Sequence, residues 1–197
     1  MPSSSTDSFS PEMIRILKIF GIGSILFVFV LSFFNEKRAD NSGEFDSVLR
    51  VPDSNRIYFK NLRAPQYDRE GRDDAKMNLY RHGKRTKSDQ AHFNFMILLN
   101  RVKDEAYIFV EPFPDGFPIV IRHRHQETGE GGEITFYGGD KMAHYEFALE
   151  FYPLAIENTY FEIKSEEDWI PLLDNEKERE ALRVTLVDFF RLIDNPK

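Results

Sequence analysis

The 197-residue chain contains no cysteine and a single tryptophan. The missing thiols exclude disulfides, thiolate zinc sites and cysteine nucleophiles. They do not choose a compartment, because a cysteine-free domain suits either side of a bacterial inner membrane. Motifs of the G-x-S-x-G, P-loop and G-x-G-x-x-G types are also missing. The nearest approach, Gly129-Glu130-Gly131-Gly132, puts an acid where a phosphate would sit and reads as a hairpin turn. No internal repeat marks a solenoid. Charge is absent over one long stretch only, between Lys18 and Glu36.

That stretch belongs to a run from Ile14 to Phe34, 21 residues in which Ile14, Ile19, Leu26 and Phe34 are representative anchor positions. At ~1.5 Å per helical residue it reaches about 31 Å, close to the hydrocarbon thickness of a bilayer. A buried core helix would carry a polar stripe, yet from Ile19 to Phe34 only Ser24 and Ser32 are polar. A cleavable signal would end in small residues, whereas this run passes through Phe33 and Phe34 into Asn35 and Glu36. The expectation is an uncleaved transmembrane helix, with Arg15 and Lys18 snorkelling at one end. Gly21, Gly23 and Ser24 do not make a GxxxG dimerisation motif. Lys/Arg counts on the two sides nearly balance, so the positive-inside rule does not set orientation. A short tail before a signal-anchor span favours an extracytoplasmic domain.

Residues 1–13 read as a Ser-rich disordered tail, 35–54 as a polar linker and 55–197 as one globular domain of ordinary size. With 19 Phe and 8 Tyr, the chain has ample bulk for a core. Alternation predicts strands at 56–62 (RIYFKNL), 77–81, 92–100, 106–112, 117–125, 133–137 and 159–164. The charged stretch 63–76 reads as a long loop, and Pro114-Asp115-Gly116 as a hairpin turn. Residues 141–158 fit both periods. Helix is preferred there because Asp140 can cap it and its length exceeds a normal strand, although Pro153 opposes it. Ser165 with Glu166, Glu167 and Asp168 resembles another helix start. A final helix is capped by Asp174 or Asn175, has Glu176, Glu178 and Glu180 in its first turns, and carries the stripe Leu182, Leu186, Phe189, Phe190, Ile193. The expected class is α+β: a transmembrane helix followed by one antiparallel sheet of six or seven strands packed on two principal helices.

Candidate chemistry is sparse. His123 and His125 lie two apart, on one face of a strand, and could ligate a metal with help from Glu127, Glu130 or Glu133; the competing reading is an inward face that turns polar at its exposed end. His82, His92 and His144 are isolated and read as surface or structural residues. Charge is segregated: residues 35–125 hold 17 Lys/Arg and 14 Asp/Glu, whereas 126–197 hold 7 and 17. Within Arg50–Lys87 there are 11 basic and 5 acidic residues, and Arg81, Lys84, Arg85 and Lys87 could form an anion-binding surface. Basic loops facing acidic helices within one fold explain the same pattern. Nucleic acid is not expected for an acidic chain with no binding motif.

The resulting expectation is a single-pass membrane protein whose domain is a noncatalytic interaction or scaffolding module with a protein partner in the cell envelope. No catalytic residue or cofactor is assigned, and oligomeric state is left open. The alternative is a module for anionic lipid headgroups or another anionic ligand, acting through residues 50–87; a metal-dependent enzyme at His123 and His125 ranks third.

Overall fold

The computed structural model describes residues 10–33, 47–166 and 168–194. The predicted tail before Ser10, anchor residue Phe34, the linker through residue 46, and Glu167 lie outside the described residues. Helix α1 (Pro11–Phe33) forms a unit of its own, with every residue exposed. It is the one described helix long and apolar enough to cross a membrane. Its 23 residues extend about 34 Å. Ile14, Ile19 and Leu26 all project from it.

The domain holds eight strands in two antiparallel sheets of four, where the sequence pattern suggested six or seven in one sheet. Sheet one is β1 (Tyr67–Arg72), β2 (Met77–His82), β3 (His92–Asn100) and β4 (Ala106–Phe113), in that spatial order. Sheet two comprises β5 (Ile119–His125), β6 (Gly131–Phe136), β7 (Thr159–Ser165) and β8 (Asp168–Leu172), ordered β6-β5-β7-β8. The Pro114-Asp115-Gly116 segment is therefore no hairpin turn: β4 pairs with β3, β5 pairs with β6 and β7, and the segment carries the chain between sheets. Both Phe113-Pro114 and Phe117-Pro118 are cis.

Helix α3 (Lys141–Ile156) packs between the sheets, contacting β4 on one side and β7 on the other. Its Phe147 and Phe151 rings lie 5.3–6.0 Å from those of Phe93 and Phe95 of β3. On the opposite side Phe147 stacks on Phe136 of β6 at 4.7 Å, and Phe151 meets Phe161 of β7 at 5.0 Å. Burial on two sides explains why this segment satisfied both a strand and a helix pattern. Apart from the terminal Lys141 and Ile156, a narrow strip of Glu146, Glu150 and Pro153 at helical spacing is what stands exposed there. Pro153 is tolerated in the last turn on that strip. Asp140 caps the helix as expected, accepting from the Met142 and Ala143 amides at 3.0 Å.

Helix α4 (Glu176–Leu192) covers β2, β3 and β4 and packs on α3. Asn175 accepts from the Lys177 amide at 2.9 Å, and the predicted stripe from Leu182 to Ile193 is buried. Four other local expectations are corrected. Residues 56–62 are not a strand: helix α2 (Asp53–Tyr58) continues into a wide turn over Phe59–Arg63. Phe59 is buried, but Ile57 is 60% exposed and Leu62 61%. The charged stretch 63–76 is not all loop, because it contains β1, an edge strand with only Tyr67 buried. The acidic stretch after Ser165 starts no helix; Glu166, at φ 53°, turns β7 into β8. Leu49 and Val51, within the expected linker, are buried in the domain core.

Candidate functional site: a cavity beside His144

The two predicted site groups come first. His125 ends β5, where its Nδ1 accepts from the amides of Glu127 and Thr128 at 3.3 and 3.2 Å. His123 is half-buried on the same strand and faces Gly132 of β6. The approach is close, since a Cβ at position 132 would stand 3.1 Å from His123 Nε2, and glycine is required at the neighbouring position 131, where a Cβ would collide with the His123 carbonyl oxygen. Among the described residues no group of three or more His, Asp or Glu side chains converges to hold a metal.

The basic residues are drawn together around β1 and β2, opposite carboxylates. Arg81 Nε donates to both oxygens of Glu111 at 2.9 Å, and its Nη1 donates to Glu70 at 2.7 Å. Asp68 receives Arg85 at 2.5 Å and lies 3.7 Å from the Lys87 ammonium. These partners hold the Asp68 carboxyl below its ordinary pKa, Arg85 first and Lys87 second. Lys84 is exposed in the following turn, where its backbone amide donates to His82 Nδ1.

A second polar cluster, absent from the sequence reading, lies under α4. Asp188 is buried, and accepts from Arg63 Nε at 2.7 and 3.0 Å and from the Tyr67 hydroxyl at 2.7 Å. Burial first, and the Asp188 charge second, push the Tyr67 phenol far above its usual pKa. Arg56 plays a parallel part from α2, donating to the Asn100 and Lys103 carbonyls at 2.9 and 3.1 Å. Both clusters join segments more than 40 residues apart and spend their charged groups on the fold, with Arg56 Nε alone left buried without a partner among the described residues. They are fasteners.

The cavity with ligand-like character lies where the β4 edge meets the first turn of α3. Its volume is about 330 Å³, and its walls include Met77, Leu98, Tyr107 and Phe109 from sheet one with Asp140, Lys141 and His144 from the start of α3. The sheet pleat places these apolar walls on the face opposite the main core: Phe95, Ile97, Ile108 and Val110 point inward, and Met96, Leu98, Tyr107 and Phe109 outward. His144 is only 2% exposed. The Val110 amide donates to its Nδ1 at 3.1 Å. Its ring lies 4.2 Å from Phe109, 4.9 Å from Phe136 and 6.2 Å from Phe117. Burial pushes the imidazole pKa below its ordinary value, with Asp140 pulling weakly the other way.

No protein-family model, curated protein or solved structure matches this chain. The site is therefore argued from its own geometry. A neutral imidazole that accepts at Nδ1 carries its proton on Nε2, so His144 is a hydrogen-bond donor at that atom. Nε2 has no partner among the described residues and is not among their sealed-off polar atoms. The ring itself lines the cavity. One buried donor, apolar walls and a volume of a few hundred Å³ are the attributes of a small-molecule pocket. Sequence reasoning set His144 aside because its partners Val110 and Phe117 are distant in the chain; the one local signal was its place one turn after the Asp140 cap.

Proposed function

We propose that the protein is a single-pass membrane protein that displays a noncatalytic interaction module outside the cytoplasm, where it binds or organises a protein partner of the cell envelope. The observation that carries this reading is α1, a 23-residue apolar helix with no buried residue. A helix that is apolar on all sides needs an apolar surround, and lipid is the solvent that meets this need. The domain adds a folded body with surface to spare. Exposed Phe113, Phe117 and Tyr137, at 44, 40 and 76%, provide aromatic contact area of the kind enriched at protein interfaces. The carboxylates opposite Arg81, Arg85 and Lys87 weigh against the anion-binding alternative, because a basic residue already paired contributes little to a new anion.

The test is in-membrane crosslinking of the intact chain followed by identification of neighbours, with protease protection of the domain in sealed vesicles. The reading expects one recurrent partner and a domain protected on the non-cytoplasmic side. An assortment of unrelated membrane proteins, or extraction of the chain by alkaline carbonate, would contradict it.

A further inference from the structure

We propose that the cavity between β4 and the first turn of α3 is a binding site for a small, largely apolar molecule that carries one carbonyl-type oxygen, held by a hydrogen bond from His144 Nε2. The inference is independent of the interaction role above and would stand if that role failed.

The chemistry follows from what each wall supplies. Met77, Leu98, Tyr107 and Phe109 give apolar area, so the body of the ligand is apolar. His144 lines the cavity and spends only Nδ1 on the Val110 amide, and a buried donor such as its Nε2–H is satisfied by an acceptor on the ligand. A free anion is disfavoured. The amides at the start of α3 that would receive it, those of Met142 and Ala143, are already taken by Asp140, whose carboxylate also borders the space. Lys141, which also borders the space, holds its ammonium 5.5 Å from the centre of the Tyr107 ring, and a neutral carbonyl meets the His144 donor without bringing a second negative charge beside Asp140.

Two other occupants are excluded by the same geometry. An added β-strand along β4 needs its edge amides, yet the Val110 amide is spent on His144. A partner helix is too large, since a helix with side chains is about 10 Å across and the cavity is only about 330 Å³. His144 thus has two roles at once. It closes the β4 edge through Nδ1 and presents Nε2 to the ligand, and the fixed first bond sets the direction of the second.

The test uses the full chain in nanodiscs and two near-isosteric probes followed by fluorine NMR: para-fluoroacetophenone, which has a ketone oxygen, and para-fluorocumene, which lacks it. The ketone is expected to bind the protein over the lipid background and roughly fivefold or more tightly than the hydrocarbon, the worth of one hydrogen bond. Leu98→Trp, which fills the cavity without touching His144, should abolish ketone binding. Met77→Trp, from the neighbouring strand, should do the same should the first variant lose its cooperative melt. Equal affinity for the two probes, undiminished ketone binding by either folded tryptophan variant, or no ketone binding up to its solubility limit would overturn the proposal.

Discussion

Helices α1 and α3 are both rich in large apolar side chains, yet one exposes all of its 23 residues and the other buries seven of its 16. The difference lies in what accompanies the apolar surface. In α3 a strip of Glu146, Glu150 and Pro153 faces water, Asp140 caps the first turn, and His144 satisfies an amide of a neighbouring strand. In α1 nothing of the kind interrupts the surface between Lys18 and Phe33. A helix packed in a protein core keeps one polar seam and a few designated partners, whereas a helix long and apolar enough to cross a membrane carries no such seam.

Substitutions should separate the two helices most widely at their largest side chains. Phe151→Ala removes a fully buried ring from the centre of the domain and is expected to cost about 4 kcal/mol of unfolding free energy. Phe27→Ala in α1 should leave the domain's unfolding within roughly 0.5 kcal/mol of the parent, because that ring is exposed and belongs to a separate unit of the chain. Chemical denaturation of the two variants side by side measures the contrast directly.

Next in size is the ionic fastener under α4. Asp188→Ala leaves Arg63 and Tyr67 without their acceptor, and a loss of about 3 kcal/mol is expected. The same denaturation curves report it, and a loss under 1 kcal/mol would show that water replaces the carboxylate.

Acid should act on the α3 side of the comparison. His144 and His82 both have pKa values lowered by burial. The unfolded chain therefore binds more protons than the folded one, and stability falls as pH drops below about 6.5, the unperturbed histidine value, towards the folded pKa values. Above that range their contribution is fully present. His144→Asn places an amide oxygen near the Val110 amide but does not titrate, so its melting temperature should decline less between pH 7 and 5 than the parent's.

The smallest effect belongs to the cap. Asp140→Ala should cost about 1 kcal/mol, read from the same melts, whereas loss of the corresponding cap on α1, where Ser10 Oγ accepts from the Met13 amide at 3.3 Å, should leave the domain's melt unchanged.

Much of the fold was legible from local pattern. The apolar run, the Asp140 cap, the α4 stripe and the inward set Phe93, Phe95, Ile97 and Leu99 all follow from spacing that short windows display. The failures share a physical cause, namely partners distant in sequence. Arg56–Leu62 alternates over seven residues like a strand, but Arg56 finds its carbonyls beyond residue 99 and the segment winds into a helix instead. Strand β1 reads as loop because an edge strand with one buried residue has little apolar signal to show. The Pro-Asp-Gly segment has the same turn chemistry whether it joins neighbouring strands or crosses between sheets. The cavity was illegible for the same reason: its walls come from β2, β3, β4 and α3, and each contributes residues unremarkable alone.

The absence of cysteine permits the most direct test of the contrast between the helices. Single cysteines placed in turn along 14–33 provide unique spin-label sites in an otherwise native chain in nanodiscs. If α1 is surrounded by lipid, every label from the middle of the helix will be accessible to oxygen and shielded from a water-soluble relaxant, with a smooth depth profile peaking near the centre. An accessibility that instead oscillates every 3.6 residues, with one face shielded from both reagents, would place α1 against protein and contradict the account.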